Sequence, residues 1–302
     1  FMVMYPGANE GGFIPPYDFG FGAKGQEDFG MNTDRGYADA ADFFFQVVFV
    51  ATAVSIVSGA IAERMNQWPF FALAAFIAGV IYPIQGFWNW GSGFLSAAGY
   101  SDFAGSGTVH LAGAACALAA AIFIGPRLGK YSSDGKVNKL YGANIPIAAL
   151  GTFILWLGWF GFNGGSQLAV NDASNANAVA QVFLNTNMAA GGGVIACLLV
   201  SRIFFGKTNI IYALNGAISG LVAITAAPDT PTGYEATLIG AIGGLLCYGS
   251  LVFLEQVLKI DDPVGAISAH GTAGIFGVMV VPFTNEGATF GAQALGVVSI
   301  IV

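Results

Sequence analysis

Residues 102–110 read Asp102-Phe-Ala-Gly105-Ser-Gly-Thr-Val-His110, and residues 262–270 read Asp262-Pro-Val-Gly265-Ala-Ile-Ser-Ala-His270. Both follow the pattern D-x-x-G-x-x-x-x-H, and the chain of 302 residues has only these 2 histidines. Both lie inside apolar runs. A titratable group in lipid is costly and marks function by default. Each aspartate sits where a helix would begin, a good N-cap position whose charge suits the helix dipole. A histidine eight residues further on would lie about 12 Å deep. Four apolar segments separate the copies, so the first enters from one face and the second from the other. Two histidines each about 12 Å deep would meet near the middle of a ~30 Å hydrocarbon core. This predicts an inverted-topology repeat with a site at the repeat interface.

The rest of the sequence fits lipid as solvent. Hydrophobic residues make up 55% and charged residues 9%, against roughly 25% charged in soluble domains. Eight apolar segments lie near 43–62, 67–87, 104–125, 143–169, 177–201, 210–227, 234–258 and 263–283. Each approaches the ~20 residues of a spanning helix. We expect eight complete spans over 43–283, a single transmembrane domain over 1–302, and the start of a last helix at 290–302. Residues 6–41, rich in Gly, Pro and Asp, read as an extracytoplasmic loop. The chain opens on Phe1 and stops inside an apolar run, so both ends are expected to continue into further sequence.

Charge sets the orientation. Numbering the loops alternately places Arg64, Arg127, Lys130, Lys136, Lys139, Arg202, Lys207 and Lys259 on one side, leaving only Lys24 and Arg35 of the 10 basic residues on the other. Residues 63–66, 126–142, 202–209 and 259–262 should therefore be cytoplasmic. The opposite face carries acids such as Glu10, Asp42 and Asp172. They could concentrate cations, or simply reflect that acids do not oppose translocation. The net charge of −7 argues against a nucleic-acid partner. Cys116, Cys197 and Cys247 are spaced like isolated packing residues. Glycine clusters at 158–165, 191–193 and 240–244 would let helices approach closely. No Walker A loop, HExxH or nucleophile elbow appears. We expect neither an enzyme nor a bound cofactor or metal.

Five runs resemble the ammonium transporter (Amt/Mep/Rh) family: Phe45-Gln-Val-Val-Phe49, Ser58-Gly-Ala-Ile-Ala-Glu-Arg64, the segment Asp102 to His110, Gly158-Trp-Phe-Gly-Phe-Asn-Gly-Gly-Ser166, and Asp261 to Gly271. The likeness runs in order from about Phe43 to Phe283. It implies an all-α polytopic bundle of eleven helices, of which this chain resembles the end of the second through the start of the eleventh. It also implies a multi-pass protein of a plasma or bacterial inner membrane, a homotrimer with one pore per subunit in the lipid bilayer, and a cytoplasmic regulatory protein as a further partner. Carried over residue by residue, Trp90, Ser166 and Phe49 would recruit ammonium. Phe49 and Phe162 would gate the pore. His110 and His270 would line the lumen and relay protons, with Asp102 and Asp262 structural.

Elementary chemistry agrees. Ammonium matches potassium in size and charge, so selection must use its N–H donors and removable proton. An aromatic face attracts the cation, a hydroxyl accepts an N–H, and an apolar lumen penalises a bare charge. Two touching imidazoles can share a proton. Ordinary residue usage reads the same side chains otherwise: Trp90 as an interfacial belt residue, the phenylalanines as packing, Ser166 as a helix cap. Two competing functions stand beside ammonium transport. One is a b-type cytochrome, with both histidines on a haem iron. The other is an ammonium sensor with little flux.

Overall fold

Every one of the eight apolar segments carries a helix in the computed structural model, which describes residues 3–17, 31–32 and 37–302. Helix α1 spans Asp39–Ala60. Helix α2 runs over 67–89, with a wide π turn at Ile77–Ile81, and a single turn, α3, follows at Phe94–Ala97. Then come α4 (Ser106–Ile124), α5 (Ile145–Gly165), α6 (Ala173–Phe205), α7 (Ile210–Ile224), α8 (Gly233–Leu258), α9 (Ile267–Phe283) and α10 (Phe290–Ile301). Six of these stretches are long and apolar enough to cross a membrane, while α7, α9 and α10 are shorter apolar helices. The chain is thus a multi-pass, all-α membrane protein.

The helix starts follow from local chemistry. Asn144, Asp172, Asn209 and Thr289 each accept a backbone N–H from the first turn of α5, α6, α7 and α10. Thr232 and Glu235 form a reciprocal capping box on α8. These caps satisfy donors that the helix leaves unpaired.

The region 6–41 differs from a plain loop. Strands β1 (Met31–Asn32) and β2 (Tyr37–Ala38) pair antiparallel, and α1 already begins at Asp39. Upstream, the Trp88 indole donates to the Phe13 carbonyl at 2.7 Å and the Phe13 ring packs on Trp88 at 4.8 Å. Lys24, Arg35, Asp18, Glu27, Asp28 and Asp34 lie outside the described residues.

Packing shows the two repeat copies to be antiparallel. Toward one end, Ala114, Ala117 and Ala121 of α4 share a buried cluster with Ala266 and Ile267, at the start of α9. Toward the other end, Leu111 and Ala112 cluster with Val278 and Val281 near the end of α9. A methyl group on Gly274 would sit 2.6 Å from the Ser106 carbonyl, so the helices touch backbone to backbone where they cross. Helices α6, α7 and α8 make the same kind of contact. A Cβ on Gly193 would meet the Gly216 carbonyl at 2.0 Å, and one on Gly240 would meet that of Ala189 at 1.9 Å. The expectation for glycines is corrected at Gly158, Gly161 and Gly191, where an added Cβ would meet nothing within 4 Å among the described residues, so they mark no close helix contact there.

A charged clasp closes the end of the bundle reached by three of the loops read as cytoplasmic. The Asp261 side chain, fully buried, accepts from Arg127 Nε at 2.8 Å and Nη2 at 3.0 Å, from the Arg127 backbone at 2.9 Å, and from Arg64 Nη1 at 3.3 Å. Burial pushes its carboxyl up, but the Arg127 hydrogen bonds outweigh this and hold it below the usual carboxylate range. Arg127 also reaches Glu63 at 2.9 Å, and Lys130 reaches Glu255 at 2.7 Å. The fork-on-carboxylate geometry is the strong form of such a pair.

Candidate functional site: an aromatic column over two histidines

The turn before α4 is built around one carboxylate. Asp102 accepts the N–H groups of Gly105 (3.1 Å), Gly107 (3.0 Å) and Thr108 (2.8 Å), the Thr108 hydroxyl (2.9 Å) and the Tyr100 hydroxyl (3.3 Å). Gly105 adopts a left-handed φ of 107°, a backbone state that favours glycine. A π turn follows at Ser106–Leu111 and carries His110. The second copy repeats the design. Asp262 accepts the Ser268 N–H at 3.1 Å, Gly265 has φ of 78°, and a π turn at Ile267–Thr272 carries His270.

One expectation is corrected here. The helices begin at Ser106 and Ile267 rather than at the aspartates, so each histidine lies only about one turn below its helix start. The depth comes from elsewhere. Asp102 and Asp262 are 4% and 1% exposed, because the turns that contain them are themselves sunk into the protein. The two rings still meet: His110 Nδ1 lies 3.2 Å from His270 Nδ1, and the rings stack at 5.1 Å and 27°. One ring must donate and the other accept across that contact. His110 is fully buried, and its Nε2 has no partner among the described residues.

From His110 a column of aromatic rings leads to a cavity of about 350 Å³. Phe162 stacks on His110 at 5.3 Å. Phe49 stacks on Phe162 at 4.1 Å and 22°. Trp90 meets Phe49 edge-on at 5.9 Å. Phe49, Trp90 and Ser166 all line the cavity, whereas the histidines do not. The stacked Phe49–Phe162 pair therefore lies between the cavity and the imidazoles.

The remaining bonds set what each side chain can offer. The Trp90 indole N–H donates to the Asp102 carbonyl at 3.0 Å, tying the cavity wall to the turn that holds His110. The Ser166 hydroxyl donates to the Phe162 carbonyl at 2.9 Å, as a helix cap would, and its lone pairs remain for an incoming donor. Sequence reasoning missed Trp159. Its ring stacks on His110 at 5.0 Å and 18°, and its N–H donates to Thr225 Oγ1 at 2.8 Å. Its spacing from Phe162, three residues along one helix face, was the available signal.

The geometry does not fit a haem. A metal–imidazole bond is about 2 Å, so an iron between two nitrogens needs them about 4 Å apart. The two Nδ1 atoms are 3.2 Å apart, and the rings face one another.

Comparison with known proteins bears on the chain as a whole. The model of the Ammonium Transporter Family matches residues 18–298. The ammonium transporter Amt2 of Archaeoglobus fulgidus is 42% identical over 255 residues, which cover 81% of this chain and 53% of that protein. The ammonium transporter Amt1 of Methanocaldococcus jannaschii is 40% identical over 240 residues, covering 78% of this chain and 59% of its own length. Among solved structures, a sensor Amt protein superposes with a TM-score of 0.89 at 39% identity, covering 99% of this chain and 75% of that one. Mep2 of Candida albicans superposes with a TM-score of 0.78 at 28% identity, covering 88% and 62%. The chain spans about half to two thirds of the length of the curated relatives it matches. With the family model, these relatives and both folds in agreement, the chain belongs to the ammonium transporter family.

Proposed function

We propose that this protein conducts ammonium across a membrane as ammonia plus a relayed proton. The observation that carries the reading is the imidazole pair at 3.2 Å, set behind two stacked phenylalanines. In this reading the cation enters the cavity and is held by the faces of Trp90 and Phe49 and by the Ser166 lone pairs. It loses its proton there, because the aromatic column beyond offers no replacement for its hydration. Ammonia then passes when Phe49 and Phe162 part, and the proton crosses on the His110–His270 pair. Asp102 and Asp262 hold the turns. No catalysed bond change is involved beyond proton transfer.

The eight apolar segments over 43–283 act as spans, with residues 6–41 outside and 290–302 opening a further helix. The exposed apolar flank of α5, with Phe153 63% and Leu157 71% exposed, supports coverage by lipid and by further copies in a homotrimer. The direct test is current evoked by ammonium in liposomes holding the purified protein. No current above that of empty liposomes rejects conduction. The likeness to a sensor Amt protein over nearly the whole chain favours a second reading, in which binding at the same cavity is signalled with little flux. Binding without current is its signature.

Two tests bear on parts of this reading. Trp90→Leu removes a cation–π contact of at most about 2 kcal/mol. The half-saturating ammonium concentration should rise by up to about thirtyfold, with the protein still folded. An unchanged concentration dependence makes Trp90 a belt residue only. For orientation, a cysteine replacing the exposed Ser133, in the basic loop 126–142, should react with an impermeant thiol reagent only from the cytoplasmic side. Labelling from outside in sealed cells reverses the topology.

A further inference from the structure

The outer cavity holds an acceptor that neither the aromatic rings nor Ser166 supplies. Gln46 is 7% exposed and lines the same cavity as Phe49, Trp90 and Ser166. Its Oε1 is buried with no hydrogen-bond partner among the described residues. Such an orphan is costly unless something fills it. Asp42, 6% exposed, lines the cavity as well. Asp42, Gln46 and Phe49 stand at i, i+4 and i+7 on α1, so one helix face presents a carboxylate, an amide and a ring in order along its axis.

We propose that Gln46 Oε1 is a second hydrogen-bond acceptor for a small monovalent cation bearing N–H groups. The inference rests on the recruitment step proposed above and adds a residue to it. Ammonium carries four N–H donors. The aromatic faces attract its charge but accept few of those bonds, and the Ser166 hydroxyl accepts one in a direction set by its own bond to Phe162. An amide oxygen has two lone pairs and no hydrogen to repel the cation. Filling it therefore satisfies the orphan and replaces part of the lost hydration at one stroke.

The test titrates ammonium chloride into the purified full chain by calorimetry, so that binding is read without flux. Gln46→Leu keeps the side-chain bulk and removes the acceptor, and should weaken binding about tenfold or more. Gln46→Glu adds charge to the same acceptor and should tighten it. If Gln46→Leu binds within about twofold of the parent, or if the parent binds no ammonium, the inference is overturned. Should Gln46→Leu fail to fold, an unchanged affinity in Gln46→Glu overturns it equally. A parent that binds with this dependence yet passes no current leaves the inference standing and removes conduction instead.

Discussion

His110→Ala and His270→Ala should each cut the ammonium-driven current about a hundredfold, the loss typical of removing a placed proton-transfer group. The reason is the cost of the alternatives. A whole ammonium ion moving past Phe162 would shed hydration that rings do not replace, at several kcal/mol or more. Deprotonation at the cavity avoids this only if the proton has its own path. In the proposed mechanism the imidazole pair is that path: Nδ1 faces Nδ1 at 3.2 Å, and His110 Nε2, unpartnered among the described residues, would receive ammonia or a proton. Removing either ring breaks the pair. His110→Asp is a different change, because it leaves a fixed negative charge that can hold an intact cation. That variant should still conduct and should admit potassium with ammonium. Current in potassium and in ammonium salts on the same liposomes reads both outcomes. Alanine variants that keep full current and still exclude potassium make the histidines spectators, and selectivity then belongs to the cavity or to the phenylalanine pair.

The second large effect is on stability, and it separates the two repeat copies. Asp102→Ala strands three backbone N–H groups and the hydroxyls of Thr108 and Tyr100 in a buried turn. A loss of about 4 kcal/mol or more is expected, since each orphaned donor costs about 1–3 kcal/mol and partial relaxation recovers some of it. In the second copy, Asp262 receives the Ser268 N–H at 3.1 Å, while the Ala266 and Ile267 N–H groups and the Ser268 hydroxyl approach it in poorer geometry. Asp262→Ala should therefore cost only about 1–3 kcal/mol. Unfolding in mixed micelles orders the two variants. Equal losses would show that the carboxylates carry the same burden despite their different surroundings. Asp102→Ala should also disturb the cavity, because Trp90 hangs from the Asp102 carbonyl.

The membrane bundle and the repeat are legible in the sequence, because both are properties of local pattern. A spanning helix needs only its own backbone bonds and an apolar surface, so the segments around 43–62 or 234–258 announce themselves. With two histidines in the chain, the repeated D-x-x-G-x-x-x-x-H was equally visible, and the alternation of spans supplied its inversion. The motif likeness then named Phe49, Trp90, Phe162 and Ser166 among 26 phenylalanines and many serines that composition alone could not rank.

Tertiary structure decided the rest, because it concerned contacts between residues far apart in the chain. No local pattern says that the turns holding Asp102 and Asp262 sink below the protein surface, yet that sinking brings the histidines together from helix starts one turn away. Trp159 becomes a wall of the His110 site only because the packing of α5 on α6 and α7 brings its ring onto that imidazole. Gln46 reads as one more polar residue near a helix start until the cavity leaves its oxygen unpaired. Arg64, Arg127 and Asp261, separated by up to 197 positions, form one clasp only once three loops converge. Backbone hydrogen bonding and apolar periodicity are written in neighbouring residues. Ring stacking, buried orphans and ion clasps depend on how helices are set against one another, and packing alone settles that.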